Sequence, residues 1–257
     1  MDIKDTAVDA AKRAGALLRE HLGGNIRVEY KGAVDIVTEM DRRAEALIIG
    51  AIRQGFPGHS IITEETGGLE TSSEYKWIID PLDGTTNYAH GFPVFCVSIG
   101  VELAGEAILG VVYNPMLDEL FLAQKGKGAF LNGKKINVSK TASLDRSLLA
   151  TGFPYDIRSS KDTNLDHFAR FAVRSQAIRR AGSAALDLSF IACGRFDGFW
   201  EMKLKPWDTA AAALFVREAG GVLTDFKGNP YSIYTPECLA SNGLVHDEML
   251  AILAQKD

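Results

Sequence analysis

Twice within the first fifty-odd residues the apolar positions fall at helical spacing. Val8, Ala11, Leu17, Leu18 and Leu22 share one face of a helix expected over 5–22, and Gly23 with Gly24 stops it. A short alternating run over 26–30 predicts a strand. Thr38 followed by Asp41 has the form of a capping box, so a second helix is expected through Leu47, Ile48 and Ile52 until Gly55 and Pro57 end it. The spacing then shortens to that of strands. Runs over 60–63 and 77–79 read as brief buried strands. Those over 94–102, 107–113, 119–123, 128–131 and 136–138 read as a chain of hairpins, turning at Ala104-Gly105, Lys125-Gly126-Lys127 and Asn132-Gly133. After about residue 142 the pattern alternates. Strands over 148–151, 177–180, 196–201 and 221–224 are interleaved with a segment over 183–193 and helices over 164–175, 208–219 and from 246. The expected fold is thus part α+β and part α/β, with an N-terminal lobe of about 1–142 and a C-terminal lobe of about 143–257. No repeat or flexible linker separates them, so they should pack tightly as one domain.

With 257 residues, 46% of them hydrophobic and 24% charged, the chain can bury a sizeable core as an ordinary globular protein. A net charge of −5 argues against non-specific nucleic-acid binding and suits a protein that gathers carboxylates around a cation. Cys96, Cys193 and Cys238 lie far apart, which points to a reducing cytoplasm, and the dispersed histidines argue against a zinc site. The apolar runs are too short to span a bilayer, and no N-terminal signal segment is evident.

The chemistry gathers in the stretch from Trp77 to Asn87. The apolar run Trp77, Ile78, Ile79 meets a carboxylate at Asp80, and Pro81 and Gly84 are expected to end the strand there, leaving Asp80 and Asp83 on a tight loop. Two carboxylates so close repel unless a cation lies between them, and hard oxygen ligands suit Mg²⁺. Gly84, Thr85 and Thr86 could present backbone N–H groups to an anion. The same residues are also common turn formers and helix caps, and the stretch alone leaves both readings open. Glu64 and Glu65 end the preceding strand. Far downstream, Asp208 opens an apolar helix, where it reads as an N-cap and where the helix terminus favours its ionised form. Asp41 reads first as a helix-start carboxylate.

Asp80-Pro81-Leu82-Asp83-Gly84-Thr85, the upstream Glu64-Glu65 and the distant Trp207-Asp208 resemble the inositol monophosphatase family of metal-dependent, lithium-sensitive phosphatases. The resemblance continues through Gly182-Ser183-Ala184-Ala185-Leu186 and Gly220-Gly221 and covers nearly the whole chain. It implies a layered αβαβα fold, a homodimer, and two or three Mg²⁺ ions at the junction of the lobes. Glu64, Asp80 and the Leu82 carbonyl would hold one ion, and Asp80, Asp83 and Asp208 another; Asp41 matches a position that supports a weaker third. Thr85 with Glu64 would orient and deprotonate a metal-activated water. Asp83, the N–H groups of Gly84 and Thr85, and also Gly182, Ser183, Ala184 and Asp208 would contact the substrate, with Glu201 taking a ring hydroxyl.

A small phosphorylated polyol is the implied substrate, inositol 1-phosphate first, because Thr86-Asn87 resembles the inositol phosphate branch. Fructose 1,6-bisphosphate is the alternative within the family, and Arg179-Arg180 could serve its second phosphate or a subunit contact. From a different class stands a non-catalytic relative that binds a protein or RNA partner.

Overall fold

Asp2 accepts a hydrogen bond from the Asp5 N–H and opens α1 (Ile3–His21) in the computed structural model, which describes residues 2–255. Two short antiparallel strands follow, β1 (Val28–Tyr30) and β2 (Ile36–Thr38), and the expected capping box starts α2 (Glu39–Gly55). The Thr38 hydroxyl meets the N–H groups of Met40 and Asp41, and Asp41 reaches back to the Thr38 N–H. Next come β3 (Ser60–Thr63), β4 (Tyr75–Asp83), the five-residue α3 (Thr85–Ala89), and then β5 (Cys96–Leu103), β6 (Glu106–Asn114), β7 (Glu119–Gln124), β8 (Gly128–Leu131) and β9 (Lys134–Ile136). These seven strands form one sheet in chain order, antiparallel except for the parallel pair of β3 and β4. The two-residue turns behave as their sequences require. Ala104 and Gly105, and again Asn132 and Gly133, both take positive φ, which matches the twist of the strands they join.

The second half supplies β10 (Leu148–Thr151), α4 (Leu165–Ala172), β11 (Ala177–Arg179), α5 (Ala184–Ala192), β12 (Gly198–Met202), α6 (Pro206–Glu218), β13 (Val222–Thr224), β14 (Glu237–Ser241) and α7 (His246–Leu253). Its five strands make a mixed sheet in the order β11-β10-β12-β14-β13. Several expected boundaries move, two of them with a clear local cause. The helix expected over 164–175 ends at Ala172, and it starts one residue late because Asn164 takes a positive φ and its side chain is held by Thr151 and Trp200. The helix expected to begin at Asp208 begins at Pro206, since proline suits the first helical position; Asp208 sits in the first turn and is not the N-cap.

The elements stack as five layers. α1 and α2 cover the outer face of the seven-stranded sheet, α5 and α6 lie between the two sheets, and α4 and α7 cover the far face of the five-stranded sheet. One apolar cluster joins both sheets through the middle helices, from Ile78, Val112 and Phe121 to Ala150, Phe199 and Ala240. The two lobes therefore share a core. The middle helix α6 approaches the seven-stranded sheet closely where Gly100 on β5 faces Gly110 on β6. A Cβ at Gly110 would fall 2.4 Å from the Ala211 carbonyl oxygen, and one at Gly100 would fall 2.7 Å from the Ala210 Cβ. No helix among the described residues is long and apolar enough to cross a membrane, and the three cysteines are free.

Candidate active site

Strand alternation aims the site residues into the middle layer. On β4, Trp77 and Ile79 pack outward against α1 and α2, whereas Ile78 packs inward, so the next inward position is Asp80. On β12, Phe199 packs inward and Trp200 outward, so Glu201 points the same way from the opposite sheet. A cavity of about 460 Å³ opens between them. It is lined by every site residue that the sequence singled out: Glu64, Asp80, Leu82, Asp83, Gly84, Thr85, Gly182, Ser183, Ala184, Glu201 and Asp208. Asp41 stands behind this lining and is fully buried.

The strand expected to end at Asp80 continues to Asp83. Asp80 pairs with Ser98 and Asp83 with Cys96, so three steps along β4 oppose two along β5, which is a bulge. Pro81 is tolerated because a bulge leaves a residue without a ladder partner. The bulge swings both carboxyls to one side, and Gly84, at φ 101°, then turns the chain into α3. Asp80 accepts the Leu82 N–H at 3.0 Å. Asp83 accepts the Ser183 hydroxyl at 2.7 Å and the Ala185 N–H at 2.8 Å, which seats it on the first turn of α5. The Ser183 hydroxyl proton is thus committed to Asp83. Asp208 accepts the Lys205 N–H at 2.7 Å, and Asn87 anchors the Gly182 segment by donating to the Ala181 carbonyl at 2.8 Å.

The Thr85 hydroxyl lies 2.9 Å from Asp41 Oδ1 and 3.0 Å from the Leu82 carbonyl. Asp41 Oδ2 takes the Thr38 hydroxyl and N–H, at 2.6 and 2.8 Å. Asp41 therefore has two roles: it caps α2 and it holds Thr85. The helix-start reading captured only the first.

Glu64, Asp80, Asp83 and Asp208 are the lining carboxyls that could share a cation. Burial pushes Asp80 well above the usual carboxylate range, and the charges of Glu64, Asp83 and Asp208 push it further. Burial raises Asp83 to about 6 against the Ser183 hydroxyl and the α5 N–H groups. Asp208 is raised by burial against its bond to the Lys205 N–H. Glu64 is raised to about 7 by burial, opposed by Lys31, whose ammonium bridges Glu64 at 3.1 Å and Glu65 at 2.6 Å. Among the described residues Asp80, Asp83 and Asp208 have no ion-pair partner. Nor are three His, Cys, Asp or Glu side chains already gathered as a metal cage. Each carboxyl is instead turned to a donor of its own, as like charges do without a cation between them. The donor set, carboxylates and one carbonyl, is hard and anionic and fits Mg²⁺.

Sequence reasoning missed Asp187 and Gly152, which also line the cavity, and Lys31, which bridges Glu64. Asp187 had a legible signal, since it is the one charged residue of α5, whose other residues are apolar except Ser189. Gly152 had none, because its meaning lies in a contact with Glu201, forty-nine residues away in the sequence.

Comparison with known proteins points the same way. A family model described as the inositol monophosphatase family matches residues 2–257. The chain is 46% identical over 252 residues to an inositol-1-monophosphatase of Synechocystis sp., covering 97% of this chain and 88% of that protein. It is 46% identical over 248 residues to the Nus factor SuhB of Escherichia coli, covering 95% and 93%. A solved inositol monophosphatase from Anabaena (Nostoc) sp. superposes with a TM-score of 0.90 at 44% identity, covering 99% of this chain and 96% of that one.

Proposed function

This chain belongs to the inositol monophosphatase family, and from that premise we propose that it is a Mg²⁺-dependent phosphomonoesterase acting on a cyclitol or sugar phosphate, inositol 1-phosphate foremost. The observation that carries the reading is the convergence of Glu64, Asp80, Asp83 and Asp208 on one cavity with a Thr85–Asp41 hydrogen bond at its wall. A solved IMPase/NADP phosphatase, 26% identical with a TM-score of 0.83, is complexed with Mg²⁺ and phosphate, which supports the choice of ion.

Glu64, Asp80 and the Leu82 carbonyl would hold one ion and Asp80, Asp83 and Asp208 a second. When bound, Mg²⁺ supplies Lewis-acid stabilisation of phosphoryl charge and acidifies water. The remaining work falls to the chain. The backbone N–H groups of Gly84 and Thr85 orient the phosphate. Thr85 gives its proton to Asp41 Oδ1, so Oγ1 is free to accept a hydrogen bond from the attacking water. As that water attacks phosphorus in line, its proton passes to Thr85 Oγ1 and the Thr85 proton to Asp41 Oδ1. Burial raises the proton affinity of Asp41, which favours this direction, and Thr38 fixes the opposite carboxyl oxygen. Glu64, on the cavity side, orients the same water.

Fructose 1,6-bisphosphate is a second reading. Arg180 lines the cavity without an ion-pair partner among the described residues, and a solved inositol monophosphatase-fructose 1,6 bisphosphatase shares the fold with a TM-score of 0.83 at 25% identity. The complete carboxylate set favours catalysis over a role limited to partner binding. Steady-state phosphate release from inositol 1-phosphate, fructose 1,6-bisphosphate, a 3′,5′-nucleotide bisphosphate and histidinol phosphate tests the reading. The highest kcat/KM is expected for inositol 1-phosphate, and a preference for either of the last two contradicts it.

A further inference from the structure

Asp187 occupies a place where structure alone gives a carboxyl no employment. It sits in the first turn of α5, the middle-layer helix, with Ala184, Ala185, Leu186, Leu188, Ser189, Ile191 and Ala192 all buried around it. Its own exposure is 1%, and its Oδ1 has no hydrogen-bond partner. A buried polar atom left unsatisfied costs folding free energy, and replacing such a group by a neutral one is often neutral or stabilising. Yet Asp187 is not enclosed by packed side chains on every side. It lines the cavity that holds the carboxylate centre.

Glu201 lines the same cavity from β12, close enough for its charge to act on Asp187. Gly152 leaves the room for it: a Cβ at position 152 would stand 2.1 Å from Glu201 Oε1 and 2.2 Å from its Cδ. Two carboxyls from two elements thus border one space. Carboxyl oxygens on such a wall can accept hydroxyl protons, so it suits the alcohol portion of a substrate. Two acceptors at separate positions can engage two hydroxyls of one molecule, which a single carboxyl does less selectively.

We propose that Asp187 is a specificity-determining residue whose carboxyl, paired with Glu201, accepts hydrogen bonds from hydroxyl groups of a polyol phosphate. The inference rests on the phosphatase reading above and deepens it. The ligand is a substrate with several hydroxyls near the scissile ester.

The test uses the full chain with saturating Mg²⁺ and compares kcat/KM for inositol 1-phosphate with that for 4-nitrophenyl phosphate, an ester without ring hydroxyls. Asp187→Ala should lower the ratio of the two by about tenfold or more, through a higher KM for inositol 1-phosphate. An unchanged ratio, whether both substrates lose alike or neither does, overturns the inference. Asp187→Asn keeps the shape and replaces the carboxyl by an amide that cannot ionise. It should raise Tm without Mg²⁺ by about 2 °C or more, as expected for a group held for binding rather than for the fold. A Tm lowered by both substitutions overturns that assignment. Failure of the substrate reading is visible separately. A wild-type protein that prefers the aryl ester to every polyol phosphate contradicts both readings, whereas a polyol preference that survives Asp187→Ala contradicts this inference alone.

Discussion

Thr85 Oγ1 lies 2.9 Å from Asp41 Oδ1, across forty-four residues of sequence, and this contact connects the cap of α2 to the carboxylate cavity. It explains why a short helix-start motif and a strand bulge must be built to the same register. Removing the hydroxyl leaves the cavity carboxyls and the backbone N–H groups of Gly84 and Thr85 in place. Thr85→Ala should therefore lower kcat by about 10²-fold or more with little change in KM, and Thr85→Ser should restore most of it. Steady-state kinetics decides, and a rise in KM alone would make Thr85 a binding residue only.

Glu201 faces the cavity and is raised by burial to about 8, against the pull of Arg180. A hydrogen bond from a substrate hydroxyl to its ionised form, which prevails above that pH, is worth about 1.5–3 kcal/mol. Glu201→Ala should raise KM for inositol 1-phosphate by roughly tenfold to a hundredfold. The same measurement on an aryl phosphate separates the roles, since equal losses on both substrates would mean that Glu201 supports the metals or the fold.

The close seat of α6 on the seven-stranded sheet gives a prediction about stability. Gly110→Ala places a methyl group against the Ala211 backbone and the Phe215 ring, neither of which can retreat without moving the helix. Overpacking of this kind costs about 1–3 kcal/mol. Thermal melting should show a fall of about 2–4 °C for each kcal/mol, and an unchanged Tm would contradict the packing described.

His246 is buried between Thr224 and Ser241, with Nε2 3.0 Å from Thr224 Oγ1 and Nδ1 2.9 Å from Ser241 Oγ. Thr224 donates its proton to the Asp225 carbonyl, so Nε2 carries the ring proton and Nδ1 accepts from Ser241. Burial holds the imidazole below its ordinary value of 6.5. The unfolded chain then binds the extra proton first, so this contribution to stability is complete above about pH 6.5 and is lost as pH falls towards the folded value. Tm measured against pH should decline less steeply below that point in His246→Gln than in the wild type. Equal slopes would show that the ring is not held neutral.

Much of this was legible in the residues. The capping box at Thr38 and Asp41, the hairpins at Ala104-Gly105 and Asn132-Gly133, and the buried strand at Trp77-Ile78-Ile79 are local patterns, and local patterns survive folding. The carboxylates were found because their motif spacing is distinctive. What escaped depends on contacts between distant elements. Nothing near Asp41 announces Thr85, nothing near Gly152 announces Glu201, and Pro81 suggested a strand end because a bulge on β4 depends on what β5 opposes to it. Asp208 was displaced from the N-cap by a proline two residues upstream, a local signal that was outweighed by the fitness of Asp for the cap.

The most direct measurement is a Mg²⁺ titration of phosphate release from inositol 1-phosphate, using chelator-treated wild type and Asp83→Asn side by side. Asparagine can still accept the Ser183 hydroxyl and the Ala185 N–H, so the variant should melt as a folded protein while lacking the charge that holds a cation. Wild type should be inactive after chelation and recover fully as Mg²⁺ is added, and Asp83→Asn should stay nearly inactive throughout. Turnover that persists without a divalent ion, or full activity in Asp83→Asn, would contradict the assignment of this cavity as a metal-dependent phosphatase site.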